Sequence, residues 1–161
     1  MSAVRFRELL GVLARFEVDY VLVGGLAAIV QGAPVSTFDV DIVYARTPEN
    51  IERLLAALTD LGATFRGDSR AIAPNASDLV SAGHKLLVTR LGPLDALGTI
   101  EEATGYEDLL GDSEWLEIES TKVRVLTLER LITVKEQLTR PKDKLMLLQL
   151  RATFDERRKP R

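Results

Sequence analysis

The stretch VDYVLVGGLAAIVQGAPVSTFDVDIVYA, residues 18–45, decides the fold of this chain. It predicts an apolar strand at Tyr20–Val23, a glycine pair, a short helix at 26–30 and a second strand at 37–44. A short strand that is apolar throughout suits the middle of a sheet covered on both faces. The order of strands and helices along the chain therefore predicts an α+β domain, a small mixed β-sheet flanked by helices.

Two acidic residues, Asp39 and Asp41, stand in the second predicted strand. Alternate side chains of a strand share a face, so these two carboxylates point the same way while Phe38, Val40 and Ile42 point the other way. Close like charges raise each other's pKa unless a cation lies between them. Mg²⁺ binds oxygen ligands and is commonly shared between one or two carboxylates and substrate phosphates.

A glycine pair, Gly24-Gly25, follows the first strand. Without Cβ atoms the backbone can approach an anion and present its N–H groups at the start of a helix. Taken alone, a glycine pair after a strand is as often only a turn as it is a phosphate-binding site. Asp is depleted in strands, so an Asp-x-Asp within a strand is less easily explained as coincidence. Together they predict a site for metal and phosphate, which indicates nucleotide chemistry; a coincidental Asp-x-Asp in a structural domain is the remaining alternative.

The composition predicts one globular domain, residues 1–161, with 46% hydrophobic and 28% charged residues. A formal net charge of −3 gives no general attraction to nucleic acid. The chain has no cysteine, and His84 is its only histidine, which excludes disulfides and argues against zinc. Without a signal-like apolar region or a membrane-length apolar run, we expect no membrane association and a cytoplasmic location.

The other elements are predicted from apolar periodicity and turn residues. The predicted helices lie within 1–17, at 48–61, at 106–110 and within the C-terminal part 127–157. The predicted strands lie at 85–90 and 94–100, and a hairpin of 115–118 and 123–126 turns at Ser120-Thr121. A loop is predicted at 63–83, with a short strand near Ala71 and a helical turn at 77–80.

Two charged residues interrupt apolar patterns. Asp95 stands in the run LGPLDAL and is either a third carboxylate of the site or a loop-edge residue beside Gly-Pro. Lys135 falls on the apolar face of the helix that Thr127 caps, where it either extends from the edge of the core or points a positive charge into a phosphate-binding cleft.

The last predicted helix begins near Pro141 and places Leu145, Leu148 and Ala152 on its buried side. Arg140, Lys142 and Lys144, together with the final RRKPR, offer a local basic strip, although a short charge run of this kind is more often a solvated tail.

The pattern Gly24-Gly25, thirteen residues, then Asp39-Val40-Asp41-Ile42 resembles the signature of the nucleotidyltransferase superfamily, which includes polymerase-beta-like enzymes. Within it the chain is most similar to AbiEii-type toxins and minimal nucleotidyltransferases. The resemblance implies a mixed sheet with two or three carboxylates that bind Mg²⁺. Asp39 and Asp41 match the metal-binding pair, and Asp95 matches the third acidic residue, which helps to deprotonate the attacking hydroxyl.

The resemblance also implies a nucleotide-binding set. Gly24 and Gly25 match the triphosphate-contacting pair, and Lys135 with the segment 140–143, including Lys142, resembles the basic C-terminal motifs of the AbiEii-type branch. Ser36 and Thr37 either add a hydroxyl contact or are ordinary residues at the start of a strand.

The function that follows is transfer of a nucleoside monophosphate from a nucleoside triphosphate to a hydroxyl, with two Mg²⁺ ions aligning the reaction. The implied acceptor is a tRNA end, a protein or a small molecule, and an antitoxin is a possible partner. The chain departs from its relatives at Val35, where they often carry arginine, and at Met146, where aspartate is common. These departures keep open an alternative, a catalytically degenerate nucleotidyltransferase-like binding or regulatory module.

Overall fold

Seven strands form a mixed sheet in the computed structural model, which describes residues 3–160. Met1, Ser2 and Arg161, the ends of the predicted 1–161 domain, lie outside that range. The strands are β1 (Tyr20–Val23), β2 (Val40–Tyr44), β3 (Thr64–Phe65), β4 (His84–Thr89), β5 (Gly92–Leu97), β6 (Ser113–Ile118) and β7 (Thr121–Leu126). The helices are α1 (Ala3–Arg15), α2 (Gly24–Val30), α3 (Pro48–Asp60), α4 (Ala76–Val80), α5 (Tyr106–Leu109), α6 (Leu128–Glu136) and α7 (Pro141–Arg157), with a 3₁₀ turn at Leu110–Asp112.

The strand order is β3-β4-β5-β2-β1-β7-β6. Strand β2 runs parallel to β5 and β1 runs parallel to β7, while the other neighbouring pairs are antiparallel. All four residues of β1 are buried, which fits its apolar sequence and its place near the centre of the sheet. The predicted mixed sheet flanked by helices is therefore confirmed.

Helices α1 and α3 contribute apolar faces to the core because their large residues recur every three or four positions. The side chains of Leu9, Leu13, Leu54 and Leu58 are at most 1% exposed. Burying side chains of this size contributes about 1.5–3 kcal/mol each to the free energy of unfolding.

Strands β1 and β2 are joined at one end by the buried side chain of Asn50 on α3. Its amide accepts a hydrogen bond from the Asp19 N–H at 2.7 Å and donates to the carbonyl oxygens of Asp19 and Ala45 at 2.9 and 2.7 Å. Thr47 caps the helix by accepting from the Asn50 N–H at 3.3 Å. The opposite ends of the two strands carry Gly24 and Asp41.

The register of the central strands sets which side chains meet at that end. Val23 of β1 pairs with Asp41 of β2, Asp41 pairs with Asp95 of β5, and Asp95 pairs with Leu86 of β4. A shift of one residue in any strand would turn its side chains to the other face of the sheet. The pairing therefore places Asp41 and Asp95 side by side.

The segment 63–83 differs in part from its prediction. No strand forms near Ala71, where the backbone has a φ of +53°, and the short strand is β3 instead, paired with Leu87 and Val88 of β4. A positive φ is incompatible with extended strand geometry. The helical turn predicted at 77–80 is confirmed as α4, which Asn75 caps by accepting from the Asp78 N–H at 2.9 Å.

The buried side of α7 is not the predicted one. Leu145 and Leu148 are 59% and 64% exposed and Ala152 is exposed, whereas Asp143 and Leu150 are each 1% exposed. Asp143 and Leu150 are seven residues apart and share a face, from which Leu145 and Leu148 point away. The prediction was wrong because it followed hydrophobicity, while the helix is oriented by the ion pairs of Asp143.

Several strand boundaries and one turn also differ from the predictions. Strand β2 begins at Val40 instead of residue 37, and Gly92-Pro93 starts β5 instead of breaking it. The hairpin turns at Glu119 and Ser120, whose φ values are +47° and +74°. Within residues 3–160 no helix combines the length and the apolar character needed to cross a membrane.

Candidate functional site

Three carboxylates meet at the edge of the central strands. Asp41 lies on β2, Asp95 lies beside it on β5, and Asp39 immediately precedes β2. One oxygen from each of the three lies within 4.8 Å of the others. Thus the structure brings together the acidic residues that sequence reasoning selected, including Asp95, which stands on a strand and not at a loop edge.

The surroundings of Asp41 disfavour its ionised form. Burial, together with the nearby carboxyl groups of Asp95 and Asp39, raises the pKa of Asp41 to about 8, while Lys135 opposes the rise. Its Oδ1 atom is buried and has no hydrogen-bond partner among the described residues. Such an orphaned buried oxygen is costly unless a partner reaches it.

The donor set fits a hard divalent cation. It consists only of carboxylate oxygens and carries like charges that a cation would neutralise, and Asp41 also has an orphaned oxygen. Mg²⁺ prefers such oxygen ligands and is commonly held by one or two carboxylates. Of the predicted metal ligands, Asp39 and Asp41 have no salt bridge among the described residues, whereas Asp95 has one.

Each glycine of the pair has a close neighbour that excludes a larger side chain. Gly24 has a φ of +71°, and a Cβ there would lie 2.1 Å from Oδ2 of Asp41. A Cβ on Gly25 would lie 2.7 Å from Cβ of Thr37. The glycines therefore allow the start of α2 to approach the acid cluster. This structural requirement applies whether or not the glycines also contact phosphate.

The segment before β2 lines the cleft. Thr37 makes hydrogen bonds through Oγ1 with the backbone of Asp39, at 3.3 Å from its N–H and 3.2 Å from its carbonyl oxygen, while Ser36 is exposed. Phe38 is 68% exposed and lines the cleft. The prediction that it shares a face with Val40 and Ile42 was wrong, because the strand begins only at Val40 and the alternation of faces does not extend to Phe38.

A second charged cluster lies between α6 and α7. Asp143 accepts hydrogen bonds from Lys135 Nζ at 2.9 Å and from Arg140 Nε at 2.7 Å. Although burial alone would raise the pKa of Asp143, these bonds and charges outweigh it and lower that pKa. Lys135 is 17% exposed, so its ammonium group is partly withdrawn from water and held by α7.

These parts enclose one cleft of about 720 Å³. It is lined by the acid cluster and the glycine pair on one side, and by Lys135, Arg140, Lys142 and Asp143 on another. His84 also lines it, but it is exposed and its Nε2 lies 3.0 Å from the carbonyl oxygen of Thr99. The volume is that of an ordinary small-molecule site.

Arg66 is the neighbour of the acid cluster that sequence reasoning missed. Its Nη2 donates to Oδ1 of Asp95 at 2.7 Å. It stands in a segment predicted as loop, and no local pattern links it to a residue 29 positions later. The pairing depends on the short strand β3, whose position was not predicted.

Comparisons with known proteins give the fold. No protein-family model matches the chain, and neither does any curated protein sequence. A Thermotoga maritima protein provisionally described as a nucleotidyltransferase aligns over 94% of this chain and 91% of its own, with 20% identity and a TM-score of 0.57.

An antibiotic adenylyltransferase and an antibiotic-resistance factor align as well. The lincosamide antibiotic adenylyltransferase LnuA, solved with lincomycin bound, covers 95% of this chain and 98% of its own, at 12% identity and a TM-score of 0.67. The antibiotic-resistance factor ANT(2″)-Ia, solved in solution, covers 95% and 82%, at 15% identity and a TM-score of 0.60. These structures do not single out the AbiEii type, and at these identities they show one property: the chain has the fold of nucleotidyltransferases.

Proposed function

We propose that this protein is a Mg²⁺-dependent nucleotidyltransferase, which moves a nucleoside monophosphate from a nucleoside triphosphate to a hydroxyl acceptor. The observation that carries the proposal is the convergence of Asp39, Asp41 and Asp95 within 4.8 Å beside the glycine pair. The neighbours in fold include adenylyltransferases, which supports the same reaction class. Fold alone does not fix a function, so the residues of the site carry the proposal.

The proposed reaction is an in-line displacement at the α-phosphorus. The acceptor oxygen forms a bond to that phosphorus, the bond to the bridging oxygen of the β-phosphate breaks, and its electron pair leaves with pyrophosphate. The hydroxyl proton passes to Asp95 or to water. Bound Mg²⁺ would supply positive charge that orients the triphosphate and neutralises the leaving pyrophosphate.

The protein's own residues divide these tasks. Asp39 and Asp41 would hold the cation, since their carboxylates have no competing cationic partner in the described chain. Asp95 would serve as a further ligand or as the group that receives the acceptor proton. The peptide N–H groups near Gly24 and Gly25 would face the β- and γ-phosphates.

The basic side of the cleft would balance the triphosphate charge. Lys135 is held in place by Asp143, and Lys142 is exposed and free to turn toward a phosphate. Ser36, which is exposed, and Thr37, which is engaged with the backbone, are weaker candidates for phosphate contact.

The acceptor is proposed from resemblance and cleft size. The similarity to AbiEii-type toxins makes a tRNA end or a protein the first acceptor to test, a toxin the first biological role and an antitoxin the first protein partner. The fold neighbours include a lincosamide antibiotic adenylyltransferase and an antibiotic-resistance factor, and the cleft volume of about 720 Å³ suits a nucleotide with a compact acceptor. Lincosamides and aminoglycosides are therefore the second set to test.

The first test is calorimetric titration with ATP, CTP, GTP and UTP analogues that cannot be cleaved between the α- and β-phosphates, with and without Mg²⁺. We expect one or more analogues to bind only when Mg²⁺ is present. Asp41→Asn should abolish that binding, while the control Asp68→Asn, an exposed acid paired only with Arg70, should leave it unchanged. Absence of binding by all four analogues would refute the proposal and favour the degenerate binding module.

The second test is transfer of label from α-³²P nucleotides to bulk tRNA, to the protein itself and to the two antibiotic classes. We expect label in one acceptor and an equal release of pyrophosphate. Binding in the first test without transfer to any acceptor would identify a nucleotide-binding module. A tRNA acceptor would also show a strong decrease of affinity with salt, which a small neutral acceptor would not.

A further inference from the structure

Arg66 is fixed against the acid cluster by three hydrogen bonds. Its Nη2 donates to Oδ1 of Asp95 at 2.7 Å and to the carbonyl oxygen of Leu87 at 2.8 Å. Its backbone N–H donates to the carbonyl oxygen of Leu86 at 2.8 Å. The guanidinium is thus anchored by β4 as well as by the carboxylate, and its side chain is only 35% exposed.

This contact distinguishes Asp95 from the other two acids. Within residues 3–160, neither Asp39 nor Asp41 has a salt bridge, and Asp41 keeps an orphaned oxygen. The other cation nearest the cluster, Lys135, is bonded to Asp143. One member of the acid cluster therefore carries its own counter-charge, and two do not.

This difference indicates that the three acids have different roles. A divalent cation binds most strongly where negative charge is uncompensated, which is at Asp39 and Asp41. A charge-assisted hydrogen bond to Oδ1 fixes the orientation of the Asp95 carboxylate and leaves its second oxygen for another contact. An oriented carboxylate beside Asp39 and Asp41 is well placed to align a hydroxyl. An alignment error of about 1 Å lowers the rate roughly a hundredfold.

We propose that Arg66 is a positioning residue, which holds Asp95 in the orientation that receives the acceptor hydroxyl while Asp39 and Asp41 carry the metal. This inference rests on the proposed function and adds the arginine that sets the acceptor side of the site. Arg66 touches neither metal nor nucleotide in this scheme and acts only through Asp95.

The test compares Arg66→Gln, Arg66→Lys, Asp95→Asn and the double variant Arg66→Gln/Asp95→Asn in the full chain. Arg70→Gln is the matched control, because Arg70 lies in the same segment and pairs only with the exposed Asp68. We expect Arg66→Gln to lower kcat by about 10- to 100-fold with little change in KM for the nucleotide. Arg66→Lys should recover part of the loss, and the double variant should be no slower than Asp95→Asn.

Mn²⁺ binding, measured by electron paramagnetic resonance without nucleotide, gives a readout that does not depend on turnover. Arg66→Gln should keep the Mn²⁺ affinity within about threefold, whereas Asp41→Asn should lower it by at least about thirtyfold. A loss in Arg66→Gln as large as that in Asp41→Asn would overturn the inference, since Arg66 would then serve the metal.

Two kinetic outcomes would also overturn it. One is a rate for Arg66→Gln equal to that of Arg70→Gln. The other is a further loss in the double variant by the full factor of Arg66→Gln, which would show that Arg66 acts independently of Asp95. If wild-type protein neither binds Mn²⁺ nor transfers nucleotide, the proposed function itself fails; if wild type is active and either outcome appears, only the role of Arg66 fails.

Discussion

Two charged clusters line one cleft, and one carboxyl group in each has a shifted pKa, in opposite directions. Asp41 has like-charged neighbours, and burial followed by Asp95 and Asp39 raises its pKa to about 8. Asp143 is buried more completely, yet hydrogen bonds from Arg140 and Lys135 outweigh burial and lower its pKa. Burial is common to both, so the partners decide whether the ionised form is stable.

The fold keeps a cluster whose charges compensate one another separate from a cluster whose charges do not. The cluster of Lys135, Arg140 and Asp143 is complete within the chain and orients α7 against α6. The cluster of Asp39, Asp41 and Asp95 has a cationic partner on one side only, Arg66, and its remaining charge is where we propose that a cation binds.

The largest expected effect is on stability when the complete cluster is broken. Asp143→Asn leaves Lys135 without its carboxylate partner, and loss of one member of a buried pair costs about 3 kcal/mol. Urea unfolding in EDTA should show a decrease of that order in the free energy of unfolding. A decrease below about 0.5 kcal/mol, the range of an ordinary surface change, would show that the pair contributes little.

The matching substitution in the acid cluster should raise the free energy of unfolding instead of lowering it. Asp41→Asn removes both a like charge and the burial cost of an ionised carboxylate, so we expect the variant to be more stable than wild type in EDTA at pH 8. The same urea experiment measures it. Asp68→Asn is the control, and destabilisation of Asp41→Asn by as much as Asp143→Asn would contradict the comparison.

The two clusters should also differ in their dependence on pH. A raised pKa means that the folded state binds the proton of Asp41 more tightly, so stability in EDTA should fall as pH rises from about 4 to about 8. The lowered pKa of Asp143 gives stability that is present above about pH 4 and is lost as pH falls below it.

Differences between wild type and each Asn variant isolate these contributions. The advantage of Asp41→Asn should grow between about pH 4 and pH 8 and then level off, while the deficit of Asp143→Asn should shrink below about pH 4. Parallel curves for the two variants would show that the clusters do not differ as described.

The smallest expected effect is that of metal binding on the stability of the wild-type protein. At a Mg²⁺ concentration ten times its dissociation constant, binding to the folded state should add about 1.4 kcal/mol. Thermal unfolding with increasing Mg²⁺ measures the gain, and EDTA should reverse it. Asp41→Asn should show no gain, whereas Asp143→Asn should keep it; an equal gain in wild type and Asp41→Asn would place the metal elsewhere.

Much of the fold was predictable because its signals are local. The apolar run of β1 and the periodic leucines of α3 gave the predicted strand and helix with only small errors at their ends. The carboxylates were predictable for the same reason, since Asp39 and Asp41 are unusual next to a strand and Asp95 interrupts an apolar run.

The missed features depend on contacts between distant residues. The orientation of α7 follows from the bonds of Asp143 to Lys135, which outweigh the pattern of its leucines. Strand β3 has two residues and is defined by its pairing with β4, so a local pattern could not identify it. Arg66 depends on that pairing and was missed with it.

The side-by-side placement of Asp41 and Asp95 on parallel strands restricts which insertions and deletions the strand of Asp95 can tolerate. Deleting or inserting one codon within 92–95 would turn the carboxylate to the opposite face, and two codons would restore the face but displace it by about 6.6 Å. The displacement by two residues exceeds the 4.8 Å span of the acid cluster. Active relatives should therefore differ in this strand by substitution alone, while changes in length collect in the exposed segment around Arg70.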